Sequence, residues 1–199
     1  MNAREGEPSP WNLPNALTVL RILMVPLFGW MLLAHPDEAG WRWATTAVFV
    51  VAMATDFVDG YLARSQGLIT SFGKLMDPIA DKALTGMAFI GLSILAELPW
   101  WITLIILVRE WGITLLRWAI IKYGVMAANR GGKLKTVTQS IALAMFLPGL
   151  QFLPQAWGVV AWVVMIAAFI LTVLTGFDYL REANKLRATF LAEHPEEKR

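Results

Sequence analysis

Thr45-Thr46-Ala47-Val48-Phe49-Val50-Val51-Ala52-Met53-Ala54-Thr55 runs without a charge into Asp56-Phe57-Val58-Asp59-Gly60-Tyr61-Leu62-Ala63-Arg64. A short gap later comes Leu75-Met76-Asp77-Pro78-Ile79-Ala80-Asp81-Lys82. A bilayer-crossing helix needs about 20 mainly apolar residues, and residues 43–63 supply them. Carboxylates at the end of such a run are costly beside hydrocarbon and mark function. Asp56 and Asp59 stand three apart, on one helical face; Asp77 and Asp81, four apart, share a face if their stretch is helical. One tight loop joins the two segments, so all four can converge. Four carboxylates in one pocket repel unless cations neutralise them. An oxygen-only ligand set, without His or Cys, suits Mg²⁺ or Mn²⁺ rather than zinc.

Outward from this stretch, the whole chain has the same character. Of its 199 residues 57% are apolar and 16% charged, against about 25% charged in a soluble domain, and mean hydropathy is +0.54. This composition predicts a membrane protein. The absence of cysteine excludes disulfides, thiolate metal sites and cysteine nucleophiles, and a net charge of +2 gives no sign of a nucleic-acid partner. Six apolar stretches, roughly 14–34, 43–63, 78–97, 99–122, 135–154 and 157–179, predict an all-α polytopic protein of six transmembrane helices in a single domain, 1–199. Residues 1–13, with Trp11 to Leu13 before Pro14, read as a short interfacial segment, and residues 184–199 as a cytoplasmic tail. The first span is too long for a signal-peptide core and follows a hydrophilic, mixed-charge segment, so it is expected to be retained.

Lys and Arg placement sets the expected orientation. Arg4, Arg64, Lys74, Lys122, Arg130, Lys133, Lys135, Arg181, Lys185, Arg187, Lys198 and Arg199 fall on the side holding both termini, which therefore reads as cytoplasmic. The other side offers Arg42, beside Asp37, Glu38 and Glu97. Trp41, Trp43, Trp100, Trp101 and Trp157 sit where an outer aromatic belt belongs.

Bland readings compete locally. Asp77 before Pro78 suits a helix N-cap with proline at the first position. Asp56 or Asp59 suits an ion pair with Arg64 or Lys82. Gly60, Ala63 and the pair Gly86 and Gly91 suit small-residue helix packing, within or between chains. None of these explains all four aspartates together.

Written as Asp56-x2-Asp59-Gly60-x2-Ala63-Arg64-x8-Gly73-x3-Asp77-x3-Asp81, the stretch resembles the signature of the CDP-alcohol phosphatidyltransferases at every fixed position. The resemblance covers nearly the whole chain, since that family has a six-helix membrane core. It implies an enzyme that binds a CDP-linked lipid, CDP-diacylglycerol, with two divalent cations at the cytoplasmic face of the cell membrane. By resemblance, Asp56, Asp59 and Asp77 hold the metals, with Asp81 at the second and also acting as general base. Gly60, Ala63 and Gly73 let the CDP moiety approach the backbone, and Arg64 assists there beside Asp56, Asp59 and Asp77. A homodimer is the family expectation.

The acceptor must be read elsewhere. Arg109 lies near the middle of the fourth span, Arg117 about two turns on, and Lys135 opens the fifth. Neighbouring residues point apart on a helix, which makes Glu110 a poor partner for Arg109. Arg130, Lys133 and Lys135 suit anionic lipid headgroups, but Lys135 turned inward with Arg109 and Arg117 would make a phosphate site. That favours an acceptor that is itself a phosphate ester. Asn15-Ala16-Leu17-Thr18-x2-Arg21, Leu75 to Lys82, and Arg109-Glu110 followed by Gly132-Lys133-Leu134-Lys135-Thr136-x2-Gln139 resemble the bacterial branch that uses sn-glycerol 3-phosphate. Thr18 and Arg21, with Lys133, are further candidates: they either contact acceptor or nucleotide, or pair with the aspartates. Sister enzymes using inositol phosphate or phosphatidylglycerol differ only in the acceptor. A divalent-cation transporter would place its carboxylates near the bilayer midplane, with a counterpart in the second half, which is absent here.

Overall fold

The computed structural model describes residues 12–65, 68, 70–123 and 130–193. Six α-helices follow in chain order: α1 Leu13–Ala34, α2 Ala39–Ser65, α3 Ser71–Ile94, α4 Trp100–Ile120, α5 Arg130–Phe146 and α6 Gln155–Glu193. Short 3₁₀ turns at Ile121–Tyr123 and Leu150–Phe152 complete the list, and no strand occurs among the described residues. The all-α expectation stands. Among these residues α1 and the stretch Gln155–Ala192 are long and apolar enough to cross a bilayer. The apolar runs of the helices between them are broken by charged groups, among them Asp56, Asp77, Asp81, Arg109, Glu110, Arg117 and Lys135. Large apolar side chains lie exposed along the helices (Leu23, Val51, Val108, Leu115, Val163, Leu174), as a lipid solvent permits and water does not.

Several boundaries depart from expectation, each for a local reason. Asn12 caps α1 by accepting the Asn15 amide at 3.0 Å, so Leu13 and Pro14 form its first turn. Residues 1–11, Trp11 included, lie outside the described residues. Helix α3 begins at Ser71 because the Thr70 hydroxyl accepts the Gly73 amide at 3.0 Å. Asp77 and Pro78 are therefore inside the helix, and the N-cap reading of Asp77 fails. At the far end α5 starts at Arg130, and α6 continues past residue 179 to Glu193, turning the first ten residues of the expected tail into helix. The extension is amphipathic: Ala183 is buried and Phe190 meets the Tyr123 ring edge-on at 5.3 Å.

The chain forms two compact units, one of residues 1–98 and 143–158, the other of residues 99–142 and 159–199. In the first, α1 packs on α2 and α3. Its core joins Phe28 and Leu32 to Phe49, Leu84, Ala88 and Leu92, with the Phe28 and Phe49 rings 5.9 Å apart. A Cβ on Gly91 would fall 2.5 Å from Leu32 Cδ2, so this glycine serves packing of α3 on α1 inside the chain. His35 stacks on Trp41 at 4.3 Å, and Trp30 meets both rings edge-on, fixing the α1–α2 corner. Arg42 is fully buried. It grips Glu97 with both terminal nitrogens, at 2.5 and 2.7 Å, and donates to the carbonyls of Leu147 and Phe146 at 2.7 and 3.3 Å. The charge removed from water is thus matched by a carboxylate and by two backbone carbonyls at and just past the C-terminus of α5. In the second unit, Ile106, Ile113, Met165 and Ala168 are buried, Trp101 meets Phe169 edge-on at 5.4 Å, and Gln139 donates to Thr172 at 2.7 Å.

Candidate active site

Helix α1 presents a buried polar stripe, Asn15, Thr18 and Arg21, spaced by three so that all share one face. That stripe serves the aspartates. Thr18 Oγ1 donates to Asp77 Oδ1 at 2.7 Å, and Arg21, only 1% exposed, pairs with Asp56 on α2. The sequence left open whether Thr18 and Arg21 contact substrate or the aspartates; they contact the aspartates. Lys82, an expected partner of the aspartates, has its Nζ 3.5 Å from the Pro78 carbonyl. Asp81 sits one turn beyond Asp77 on α3, part-exposed, so the two do share a face. Asp59, Gly60, Ala63 and Arg64 lie in α2, but their side chains fall outside the described residues.

Gly73 forms the floor beside Asp77. A Cβ there would stand 2.8 Å from Asn15 Oδ1, 3.3 Å from Thr70 Oγ1 and 3.9 Å from Asp77 Oδ2. Asn15 is held by an exchange of hydrogen bonds with Thr70, at 2.9 and 3.1 Å. A side chain at 73 would fill a small oxygen-lined cradle. Among the described residues no three acidic or histidine side chains form a metal-holding group, Asp59 standing outside that set. The donors nevertheless fit a hard divalent cation. They are oxygens only, Thr18 fixes one Asp77 oxygen so that the other is aimed, and Gly73 leaves the space beside it open.

In the second unit α4, α5 and α6 gather the other candidates. Lys135, buried, pairs with Glu110, and Arg109 donates to the same Glu110 Oε1 at 3.0 Å. The expectation that Glu110 is a poor partner for Arg109 is overturned: the backbones diverge, but the long arginine folds back far enough to reach. Arg109 also donates to Thr175 Oγ1 at 2.8 Å, and its buried Nε finds no acceptor among the described residues. Arg117 donates to Tyr179 Oη at 2.8 Å, and both guanidiniums lie over the Tyr179 ring, at 4.8 Å for Arg117 and 5.5 Å for Arg109. Lys133 is exposed. Between α4 and α6 runs an apolar groove of about 780 Å³, with Arg109 in its wall.

Three cations and one carboxylate thus gather around Glu110 and the Tyr179 ring. Sequence reading found Arg109, Arg117 and Lys135, named Glu110 but discounted it as a partner, and missed Thr175 and Tyr179. A signal for the last two existed: Thr172, Thr175 and Tyr179 fall at helical spacing on one face of an otherwise apolar helix.

Comparison with known proteins closes the case. Residues 11–174 match the model of the CDP-alcohol phosphatidyltransferase family. A Mycobacterium tuberculosis protein named as a probable phosphatidylglycerophosphate synthase is 50% identical over 185 residues, 89% of this chain and 86% of its own. The CDP-diacylglycerol–glycerol-3-phosphate 3-phosphatidyltransferase of Bacillus subtilis is 38% identical, with 85% of this chain and 93% of the relative covered. The enzyme of that name from Shigella flexneri is 33% identical, with 91% and 98% covered. By its aspartate pattern, its helices and this match, the chain belongs to the CDP-alcohol phosphatidyltransferase family.

Proposed function

We propose that the protein transfers the phosphatidyl group of CDP-diacylglycerol to sn-glycerol 3-phosphate, giving phosphatidylglycerophosphate and CMP. The observation that carries the choice of acceptor is the clustering of Arg109, Arg117 and Lys135 around Glu110 and Tyr179. Serine or another neutral alcohol would leave that charge unanswered. The names of the relatives agree.

In this reading the acceptor's primary hydroxyl oxygen attacks the phosphatidyl phosphorus, its proton passes to the Asp81 carboxylate, and the bond from phosphorus to the CMP oxygen breaks with its electron pair. Asp81 lies one turn beyond Asp77 on the same helix, which supports this role. Thr18 and Arg21 hold Asp77 and Asp56 in register. Gly73, with Gly60 and Ala63, keeps the space for the CDP moiety, and Arg64 assists it. The family is divalent-metal dependent, and Asp56, Asp59, Asp77 and Asp81 would hold two Mg²⁺ or Mn²⁺ ions that neutralise the pyrophosphate. Arg109, Arg117 and Lys135 orient the acceptor phosphate.

The reading takes both compact units as parts of one transferase domain, since the family match runs through both. It takes all six helices as spanning the cell membrane, with both termini and the aspartates on the cytoplasmic side where the basic residues collect. A homodimer is part of the same proposal. Acceptor-dependent CMP release tests it: purified protein in mixed micelles receives CDP-diacylglycerol and Mg²⁺, then one of glycerol 3-phosphate, inositol phosphate, phosphatidylglycerol or serine. Release with glycerol 3-phosphate alone supports the reading; release with another acceptor alone would reassign the phosphate site.

A further inference from the structure

We infer that Tyr179 is a positioning residue: it sets the spacing and direction of Arg117 and Arg109 before the acceptor arrives. The inference rests on the proposed acceptor site and deepens it. Arg117 is exposed on α4, and a free arginine there would sample many rotamers. Instead its guanidinium is held twice, by the hydrogen bond to Tyr179 Oη at 2.8 Å and by the ring face at 4.8 Å. The same ring stands under Arg109 at 5.5 Å, so one rigid, buried side chain spans both cations.

The surroundings are cut to fit this arrangement. A Cβ on Gly132 of α5 would come 3.1 Å from Tyr179 Oη, and one on Gly176 of α6 would come 3.2 Å from Arg109 Cγ. Small residues thus leave room on two sides for the tyrosine and the arginine. Thr175, one turn before Tyr179, takes a second Arg109 nitrogen at 2.8 Å, and Glu110 ties Arg109 to Lys135. Two like charges are held close with their donors fixed, which lowers the ordering cost of binding a phosphate.

The test compares wild type with Tyr179→Phe, Tyr179→Leu, Arg117→Ala and the Arg117→Ala/Tyr179→Phe double variant, by CMP release with each substrate varied in turn. Tyr179→Phe keeps the ring and loses the hydroxyl, and should raise KM for glycerol 3-phosphate about fivefold; Tyr179→Leu loses both and should raise it about thirtyfold. Turnover and KM for CDP-diacylglycerol should change less than about twofold, because the other substrate meets different residues. On the Arg117→Ala background, loss of the hydroxyl should add nothing, since it acts through Arg117. Additive effects, or equal losses toward both substrates, would overturn the inference while leaving the phosphate site intact. An unchanged glycerol 3-phosphate KM in Arg117→Ala would overturn the phosphate site and the inference together.

Discussion

Asp81 and Asp77 lie one helical turn apart, yet they are assigned different work, and substitution separates them. Asp81→Asn keeps the size and polarity of the side chain and removes its capacity to take a proton. CMP release should fall by about 10²–10⁴ while CDP-lipid affinity, measured by nucleotide titration, stays close to wild type. Near-normal turnover would exclude the general-base role. Gly73→Ala tests the cradle differently. Its new methyl meets Asn15 and Thr70 at distances below ordinary contact, so it should cost about 1–3 kcal/mol in thermal unfolding and raise KM for CDP-diacylglycerol. The aspartates were legible in sequence because their spacing places Asp56 with Asp59 and Asp77 with Asp81 on shared faces; Gly73 came with the family resemblance, and Arg109, Arg117 and Lys135 stood out as charges in or beside apolar runs. Their partners were not. Sequence named Arg21, Arg64 and Lys82 alike as possible partners of the aspartates; that Arg21 pairs with Asp56, and that Glu110 answers both Arg109 and Lys135, depends on which helix faces which. A pairwise rule for one helix carries no such knowledge, and it failed even for adjacent Arg109 and Glu110 because it follows backbone vectors and ignores side-chain length.

At the scale of the element, the helices were legible from hydropathy and their ends from caps. Apolar length gave the six runs, but α3 starts about seven residues before its apolar run because Thr70 caps it by accepting the Gly73 amide, which leaves Asp77 inside the helix. Its other end turns on Ala96, at φ 57°, a left-handed position that glycine occupies more easily. The Glu97 and Leu98 amides bond back to the Leu92 carbonyl there, at 2.9 and 3.2 Å, and this turn delivers Glu97 to Arg42. Ala96→Gly should therefore be neutral or stabilising by about 0.5 kcal/mol, relief of the left-handed strain slightly exceeding the added freedom of the unfolded chain. Arg42→Ala should do the opposite. It strands the Glu97 carboxylate and takes a donor from the Phe146 and Leu147 carbonyls, and should cost about 3–5 kcal/mol, seen as a large drop in the detergent melting temperature. Glu97→Gln on that background should recover part of the loss by removing the uncompensated charge. Sequence placed Arg42 among a sparse outer set of charges; its burial became visible only once the α5 end was located.

For the whole molecule, composition already pointed to a membrane protein, and the family match puts phosphatidyl transfer on the chain's own helices. Composition could not choose the acceptor, because the aspartate pattern is indifferent to which alcohol attacks. That choice rests on charge: Arg109, Arg117 and Lys135, less Glu110, leave a net excess that matches a phosphate monoester. The most direct test of that claim sets glycerol 3-phosphate against glycerol, equal in the attacking hydroxyl and different in the phosphate. In wild-type protein with CDP-diacylglycerol and Mg²⁺, CMP release at equal concentrations should favour glycerol 3-phosphate by more than about 10³-fold, should stop with chelator, and should lose most of that preference in Lys135→Met. Comparable rates for the two alcohols, or a preference untouched by Lys135→Met, would contradict the assignment of the cationic cluster as the acceptor-phosphate site.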